Sequence, residues 1–121
     1  MDPCKIRSSL TGKSRDVSLH ALEVKQARHF LIDTDTASDD AVALVMAMQY
    51  PDVQIEAITV VAGNVPVEQG AQNALYTVEL CQQGIPVHRG MPAPLTRPLQ
   101  TAQFVHGEDG MGDIGLPLSG R

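Results

Sequence analysis

The chain has 121 residues, of which 43% are hydrophobic and 19% are charged, and its formal net charge is -5. This length and composition fit one globular domain with its own core and argue against disorder. The acidic balance and the 3% aromatic content argue against nucleic acid as a partner. Cys4 and Cys81 are too few for a disulfide framework, and no apolar stretch reaches membrane-spanning length. We therefore expect a reduced, cytoplasmic protein without a membrane or nucleic-acid partner.

Residues 1–28 form a polar segment without a clean period, which we interpret as a loosely ordered N-terminal extension. Residues 29–121 are predicted to form an α/β domain. Its helical segment Ala41–Met48 is apolar almost all round, so we expect it to be buried on more than one side, with Ser38 as its N-cap. The predicted elements are a strand at His29–Asp33, that helix, a strand at Ile55–Val61, a helix at Val67–Gln83 and a strand at Ile85–Val87.

Alternating strands and helices of this length favour right-handed βαβ units, hence a three-layer, Rossmann-like parallel sheet. Beyond Gly90 the chain is rich in proline and glycine, which indicates long loops. In α/β folds such loops often build the site at the carboxyl ends of the strands. No strand or helix is predicted after these loops, so we expect the fold to be truncated, with an uncovered sheet edge.

Four aspartates, Asp33, Asp35, Asp39 and Asp40, fall within eight residues, directly after the apolar run Phe30–Ile32. At about 4 Å each like-charged pair costs about 1 kcal/mol in water and about 4 kcal/mol at an effective dielectric near 20. The cluster lies between a predicted strand and a predicted helix, so it does not resemble a solvated charge run. A bound hard cation such as Ca²⁺ or Mg²⁺ would offset this repulsion.

Several cation-dependent or phosphoryl-transfer classes fit the spacing less well. An EF-hand loop counted from Asp33 would need glycine at Ser38 and glutamate at Leu44. A magnesium-dependent aspartyl-phosphate phosphatase of the haloacid dehalogenase-like group shares Asp33-Thr34-Asp35, but Ala37 stands where threonine or valine is expected. A receiver domain needs a later lysine, and none follows Lys25. The phosphatase stays a distant alternative.

Asp33-Thr34-Asp35 followed by Asp39-Asp40-Ala41 resembles the signature of the inosine-uridine-preferring nucleoside hydrolases. Two further segments resemble that family in order and spacing, Val61–Val65 and Val105–Gly112. Together with Gly90 and Pro94-Leu95, the resemblance covers roughly residues 29–117. It implies a calcium-dependent enzyme that hydrolyses the N-glycosidic bond of ribonucleosides to ribose and free base, and we expect a homo-oligomer.

The resemblance also implies roles for individual side chains. Asp35 would be a catalytic base and a Ca²⁺ ligand, Asp40 a second ligand and Asp33 a supporting member of the metal shell. Asp39 and Asn64 would bind the ribose. His106 would face the base and assist catalysis.

Two departures from the family pattern matter. Thr36-Ala37 replaces the Pro-Gly of the usual motif, and a φ above zero at Ala37 would strain the turn. The family's remaining metal-ligand aspartate and its leaving-group histidine lie near its C-terminus, beyond the point that matches this chain. We therefore expect little hydrolysis by the 121-residue chain alone. The alternative is a non-catalytic binding module that folds by self-association.

Overall fold

The computed structural model describes residues 26–117, so residues 1–25 of the predicted extension lie outside the described part of the chain, as do residues 118–121. Strands and helices alternate as predicted, although the third strand begins two residues later and a short third helix is added. In chain order the elements are β1 (Arg28–Thr34), α1 (Ser38–Gln49), β2 (Val53–Val60), α2 (Val67–Leu80), β3 (Val87–Arg89) and α3 (Gln103–His106).

The three strands form one parallel sheet in the order β1-β2-β3. Helices α1 and α2 contact each other and both pack on β2, so they cover the same face of the sheet. This is the arrangement that two successive right-handed crossovers produce. The predicted parallel α/β class is confirmed, and residues 26–117 supply the sheet and the helical layer on one of its faces.

The hydrophobic core lies between the sheet and these two helices. β-Branched residues of β2 and α2 dominate it, since such side chains fit a pleated sheet and a packed helix face. Ile58, Val60 and Val78 are fully buried. The buried members of the core are Leu44, Ile55, Ile58, Val60, Val67, Ala74, Val78 and Ile85.

Helix α1 buries only one of its faces within the described residues. Ala41 and Leu44 are buried, but Val42 is 60% exposed and Met46 is 66% exposed. The prediction that this helix is buried on more than one side is therefore wrong for residues 26–117, because a single layer packs against it there. No helix in this part of the chain is both long and apolar enough to cross a bilayer.

Strand β2 contains one residue more than β1 over their paired length. Phe30 pairs with Ile55 and Leu31 pairs with Ala57, so Glu56 is the extra residue of a β-bulge. The bulge allows both Ile55 and Ile58 to be buried although they are three residues apart. The C-terminal half of β2 is thereby aligned with the last residues of β1.

The loops that follow the three strands meet at one edge of the sheet, because the strands are parallel. Backbone hydrogen bonds join these loops to neighbouring strands and to each other. Val61 N donates to Thr34 O at 3.0 Å, Ala62 N to Met91 O at 3.0 Å, and Ala102 N to Asn64 O at 2.9 Å. The carboxyl edge of the sheet is therefore a connected platform, and the predicted site residues lie on it.

The core assignment predicts a contrast between two identical substitutions in helices. Val78→Ala should lower the free energy of unfolding by about 2 kcal/mol, since it deletes two methyl groups and leaves a cavity. Val42→Ala makes the same change at a position that is 60% exposed, and should alter stability by less than about 0.5 kcal/mol. Urea denaturation followed by circular dichroism measures both. Equal losses in the two variants would contradict this location of the core.

Candidate active site

The turn between β1 and α1 carries the aspartate cluster and is held by buried threonines. Thr34 is 9% exposed and Thr36 is fully buried. The Thr36 amide donates to Thr34 Oγ1 at 3.1 Å, and the two hydroxyl oxygens are 3.3 Å apart. Ala37 has φ -106° and ψ -167°, an extended conformation that any residue adopts. The substitution of Thr36-Ala37 for Pro-Gly therefore introduces no backbone strain.

Helix α1 begins one residue earlier than the predicted N-cap implies. Ser38 is its first helical residue and Ala37 occupies the N-cap position, so the assignment of Ser38 as N-cap is wrong. Alanine has no side-chain acceptor for the free amides of the first turn. The Asp40 carboxylate satisfies a different group, the amide of the N-cap residue itself, because its Oδ2 accepts a hydrogen bond from Ala37 N at 3.3 Å.

Asp35 follows the end of β1 and is fixed by the loop after β2. Its Oδ2 accepts a hydrogen bond from the Asn64 amide at 2.7 Å. This approach requires the glycine at position 63, because a Cβ atom there would lie only 2.7 Å from Asp35 Cβ. The glycine of the Val61–Val65 segment thus leaves space for the carboxylate, and the neighbouring amide fixes its orientation.

Asp35 and Asp40 form a carboxylate pair. Burial raises the pKa of the Asp40 carboxyl above its ordinary value of 3.8, while the hydrogen bond from Ala37 lowers it. A hydrogen bond with Asp35 and the charges of Asp35 and Asp39 raise this pKa further. Two acids in hydrogen-bond contact can share a proton or bind a cation between them. Their oxygens are the hard donors that suit Ca²⁺ or Mg²⁺, so the pair fits the predicted metal chemistry.

The other predicted ligand, Asp33, is not grouped with this pair. Its Oδ1 accepts a hydrogen bond from the Thr59 hydroxyl at 2.5 Å, and its side chain is exposed. Within residues 26–117 no set of three acidic, histidine or cysteine side chains is arranged to hold a metal ion. The described chain therefore supplies a two-carboxylate donor set.

The predicted substrate-side residues lie at the start of α1, in the loop after β2 and at the end of α3. His106, at the end of α3, has its Nδ1 3.4 Å from Ser38 Oγ and 4.0 Å from Asp39 Oδ1. The Asp39 side chain is 72% exposed, whereas that of His106 is 19% exposed. Asn64 uses its main chain, donating to Asp35 and accepting from Ala102. The structure thus brings five predicted residues to one edge of the sheet: Asp35, Asp39, Asp40, Asn64 and His106.

One polar residue at this site was missed by the sequence reasoning. Asn73 lies on α2, is only 4% exposed, and hydrogen-bonds to the carbonyl oxygens of Thr36 and Asp109. The sequence signal that could have identified Asn73 is its position next to the apolar stripe of α2, which is formed by Gly70, Ala74 and Val78. A polar residue at the border of a buried face usually has a specific hydrogen-bond partner.

The fold and the strand-end carboxylates define a parallel α/β protein with a candidate site on the carboxyl edge of its sheet. Residues 30–120 match the family model for the inosine-uridine preferring nucleoside hydrolases. The chain therefore belongs to the inosine-uridine preferring nucleoside hydrolase family, as its motifs predicted.

Individual relatives agree with this assignment. The chain is similar to the non-specific ribonucleoside hydrolase RihC of Salmonella paratyphi A, with 45% identity over 83 residues that cover 69% of this chain and 27% of the relative. An inosine-guanosine nucleoside hydrolase structure superimposes with a TM-score of 0.71 at 46% identity, covering 77% of this chain and 29% of that one. A purine-preferring ribonucleoside hydrolase from Gardnerella vaginalis gives a TM-score of 0.72 at 32% identity, covering 78% and 31%. The chain thus spans less than a third of the length of these relatives.

The raised pKa of Asp40 predicts the pH dependence of the metal-free chain. A carboxyl whose folded pKa is raised contributes stability that is fully present below about pH 3.8 and is lost as the pH rises through the folded pKa. Asp40→Asn keeps an acceptor for Ala37 N and does not ionise as the pH rises. Relative to wild type, its free energy of unfolding should therefore increase as the pH rises above about 3.8, in urea titrations with chelator.

Asp39→Asn serves as the control for this experiment, since it removes one charge from an exposed side chain of the same turn. It should give a smaller pH-dependent gain, because only its Coulombic contribution to Asp40 is lost. Parallel stability profiles for wild type and Asp40→Asn would show that the pair is not electrostatically strained.

Proposed function

We propose that this chain carries part of the site of a calcium-dependent ribonucleoside hydrolase that acts in the cytoplasm. The observation that carries the proposal is the Asp35–Asp40 carboxylate pair, which the Asn64 and Ala37 amides orient at the carboxyl edge of the sheet. Family membership supports ribonucleoside hydrolysis as the reaction. The free thiol of Cys81 suits a reducing compartment.

Calcium is the cation that we propose for the pair. Ca²⁺ accepts six to eight oxygen ligands in flexible geometry, so carboxylates, main-chain carbonyls and water can share its coordination. Asp35 and Asp40 would hold it, and Asp33 would support the surrounding shell. When bound, Ca²⁺ would offset the repulsion of the pair, orient vicinal ribose hydroxyls and make a water molecule more acidic.

The residues of the chain have distinct parts in the proposed reaction. The N-glycosidic bond breaks with its electron pair going to the base, and the ribose acquires oxocarbenium character that nearby carboxylates stabilise. Water attacks the anomeric carbon and gives its proton to Asp35, which the Asn64 amide holds in place. Asp39 accepts a hydrogen bond from a ribose hydroxyl, and Asn64 also contacts the ribose. We assign assistance with departure of the base to His106, and its Nδ1, 4.0 Å from Asp39 Oδ1, supports this role.

Calcium calorimetry tests the proposal on the 121-residue chain. We expect one Ca²⁺ per chain, with binding at least about tenfold weaker in both Asp35→Asn and Asp40→Asn, because each variant removes a charged ligand. Asp39→Asn is the matched control, since it removes the same charge but no proposed ligand, and it should keep most of the affinity.

A second titration with inosine and with uridine, each with Ca²⁺ or with chelator, tests the ribose site. Binding should require Ca²⁺ and should weaken in Asp39→Asn. Equal calcium affinity in all three variants would refute the assignment of the pair. Nucleoside binding that is unaffected by chelator would refute the coupling of cation and substrate.

Self-association is a second candidate role, and exposure on β1 favours it. Among the described residues β1 is an outer strand of the sheet, and Leu31 within it is 76% exposed. An exposed apolar edge strand is a template for pairing with another chain. A homo-oligomer that pairs through β1 would place a neighbouring strand beside this residue.

Light scattering coupled to size-exclusion chromatography tests this role. We expect an oligomer for wild type and a smaller species for Leu31→Lys, because a lysine on an edge strand opposes pairing. Val42→Lys places the same charge on an exposed position of α1 and should leave the assembly unchanged. A wild-type monomer that melts cooperatively would remove this candidate.

A further inference from the structure

Asn73 connects two segments of the site that are far apart in sequence. Its side-chain nitrogen donates to Thr36 O at 3.0 Å and to Asp109 O at 2.8 Å. Its side-chain oxygen accepts a hydrogen bond from Gln69 Nε2 at 3.1 Å. The amide has two N–H groups, and both are used to bind main-chain oxygens on different loops.

The first acceptor, Thr36 O, belongs to the turn that carries the carboxylate pair. Thr36 lies directly after Asp35, and its neighbour Ala37 is the residue whose amide Asp40 accepts. Displacement of the Thr36 carbonyl would therefore move both carboxylates. Thr36 is fully buried, so a side chain on the surface cannot reach its carbonyl oxygen and replace the contact from Asn73.

The second acceptor, Asp109 O, belongs to the glycine-rich loop that follows His106. The Asp109 carboxylate accepts hydrogen bonds from the amides of Met111 at 2.7 Å and Asp113 at 3.0 Å. These internal hydrogen bonds hold the loop together as a unit. Gly112 N donates to His106 O at 2.7 Å. Movement of this unit would therefore be transmitted to His106.

Gly110 shows how closely the loop approaches Asn73. Its φ is +73°, and an added Cβ atom would lie 3.2 Å from Asn73 Nδ2 and 2.6 Å from Val65 Cγ1. Val65 is fully buried. The loop is thus seated on α2 by shape as well as by a hydrogen bond, and an alanine at position 110 would lift it.

We propose that Asn73 is a positioning residue that fixes the carboxylate pair relative to the His106 loop. The importance of this position for catalysis rests on the proposed function. Asn73 itself touches neither reacting atoms nor cation. Its two carbonyl acceptors each belong to one half of the site, so it sets the geometry between them. A partner in such an outer position typically changes metal affinity by about 10–100-fold when it is replaced.

Asn73→Leu is the test, because leucine has the same branched heavy-atom skeleton and no hydrogen-bond donor. Three measurements are made on the 121-residue chain: amide hydrogen exchange of residues 107–113, the calcium dissociation constant by calorimetry, and the carbon-detected resonances of the His106 ring. We expect faster exchange in the loop and calcium binding about tenfold weaker. Carbon-detected resonances of the His106 ring should also shift.

Val78→Ala is the matched control, since it lies on the same helix and removes core packing instead of a link between loops. Its calcium affinity and His106 resonances should stay at the wild-type values although its global stability falls. If Val78→Ala weakens calcium binding as much as Asn73→Leu does, the effect is one of stability and the positioning role is refuted. If Asn73→Leu fails to fold, the same measurements are made on Gly110→Ala, which disturbs the contact between the loop and Asn73 from the loop side.

The outcomes separate this inference from the proposed function. If wild type binds no calcium but Asn73→Leu still releases the loop and shifts the His106 ring, the proposed cation site is refuted and the linking role of Asn73 stands. If wild type binds calcium and Asn73→Leu binds it equally with an unchanged loop, the cation site stands and the positioning role is refuted.

Discussion

The structure of the site depends on one hydrogen bond, from the Asn64 amide to Asp35 Oδ2 at 2.7 Å. It joins the end of β1 to the loop after β2, and it requires the absence of a side chain at Gly63. Burial raises the pKa of the Asp40 carboxyl, and Asp35, fixed in this way beside it, raises that pKa further. The resulting electrostatic cost is retained in the folded chain, which is a common property of sites that bind cations.

Much of the fold could be predicted because its signals are local. The apolar run before Asp33, the β-branched run around Ile58 and the helical spacing from Val67 each identify an element, and their alternation implies a parallel sheet. The site cluster could also be predicted, because four aspartates in eight residues are conspicuous in any sequence. The family assignment rested on three motifs in order, and the family match and the superimposed structures confirm it.

The parts that could not be predicted depend on contacts between distant segments. Ser38 has good N-cap chemistry, yet Ala37 occupies that position, and its amide donates a hydrogen bond to Asp40 inside the helix. The exposure of Val42 and Met46 depends on how many layers pack around α1. An apolar sequence pattern does not indicate that number. Asn73 could not be assigned a partner from sequence, since its acceptors are 37 and 36 residues away. Asp33 lies in the same cluster as Asp35 but bonds to Thr59, a contact that only the alignment of the two strands determines.

The bulge at Glu56 determines where β2 can change length during evolution. Deletion of Glu56 would leave Ile55 and Ile58 two residues apart, so regular alternation would keep both on the face that packs against the helices. Deletion of Thr59 would instead move Val60 to the opposite face, and the loop that ends in Asn64 would start from the wrong face of the sheet. The loss of one residue can therefore be accommodated at the bulge, whereas the same change in the second half of β2 would disrupt the core and the site together.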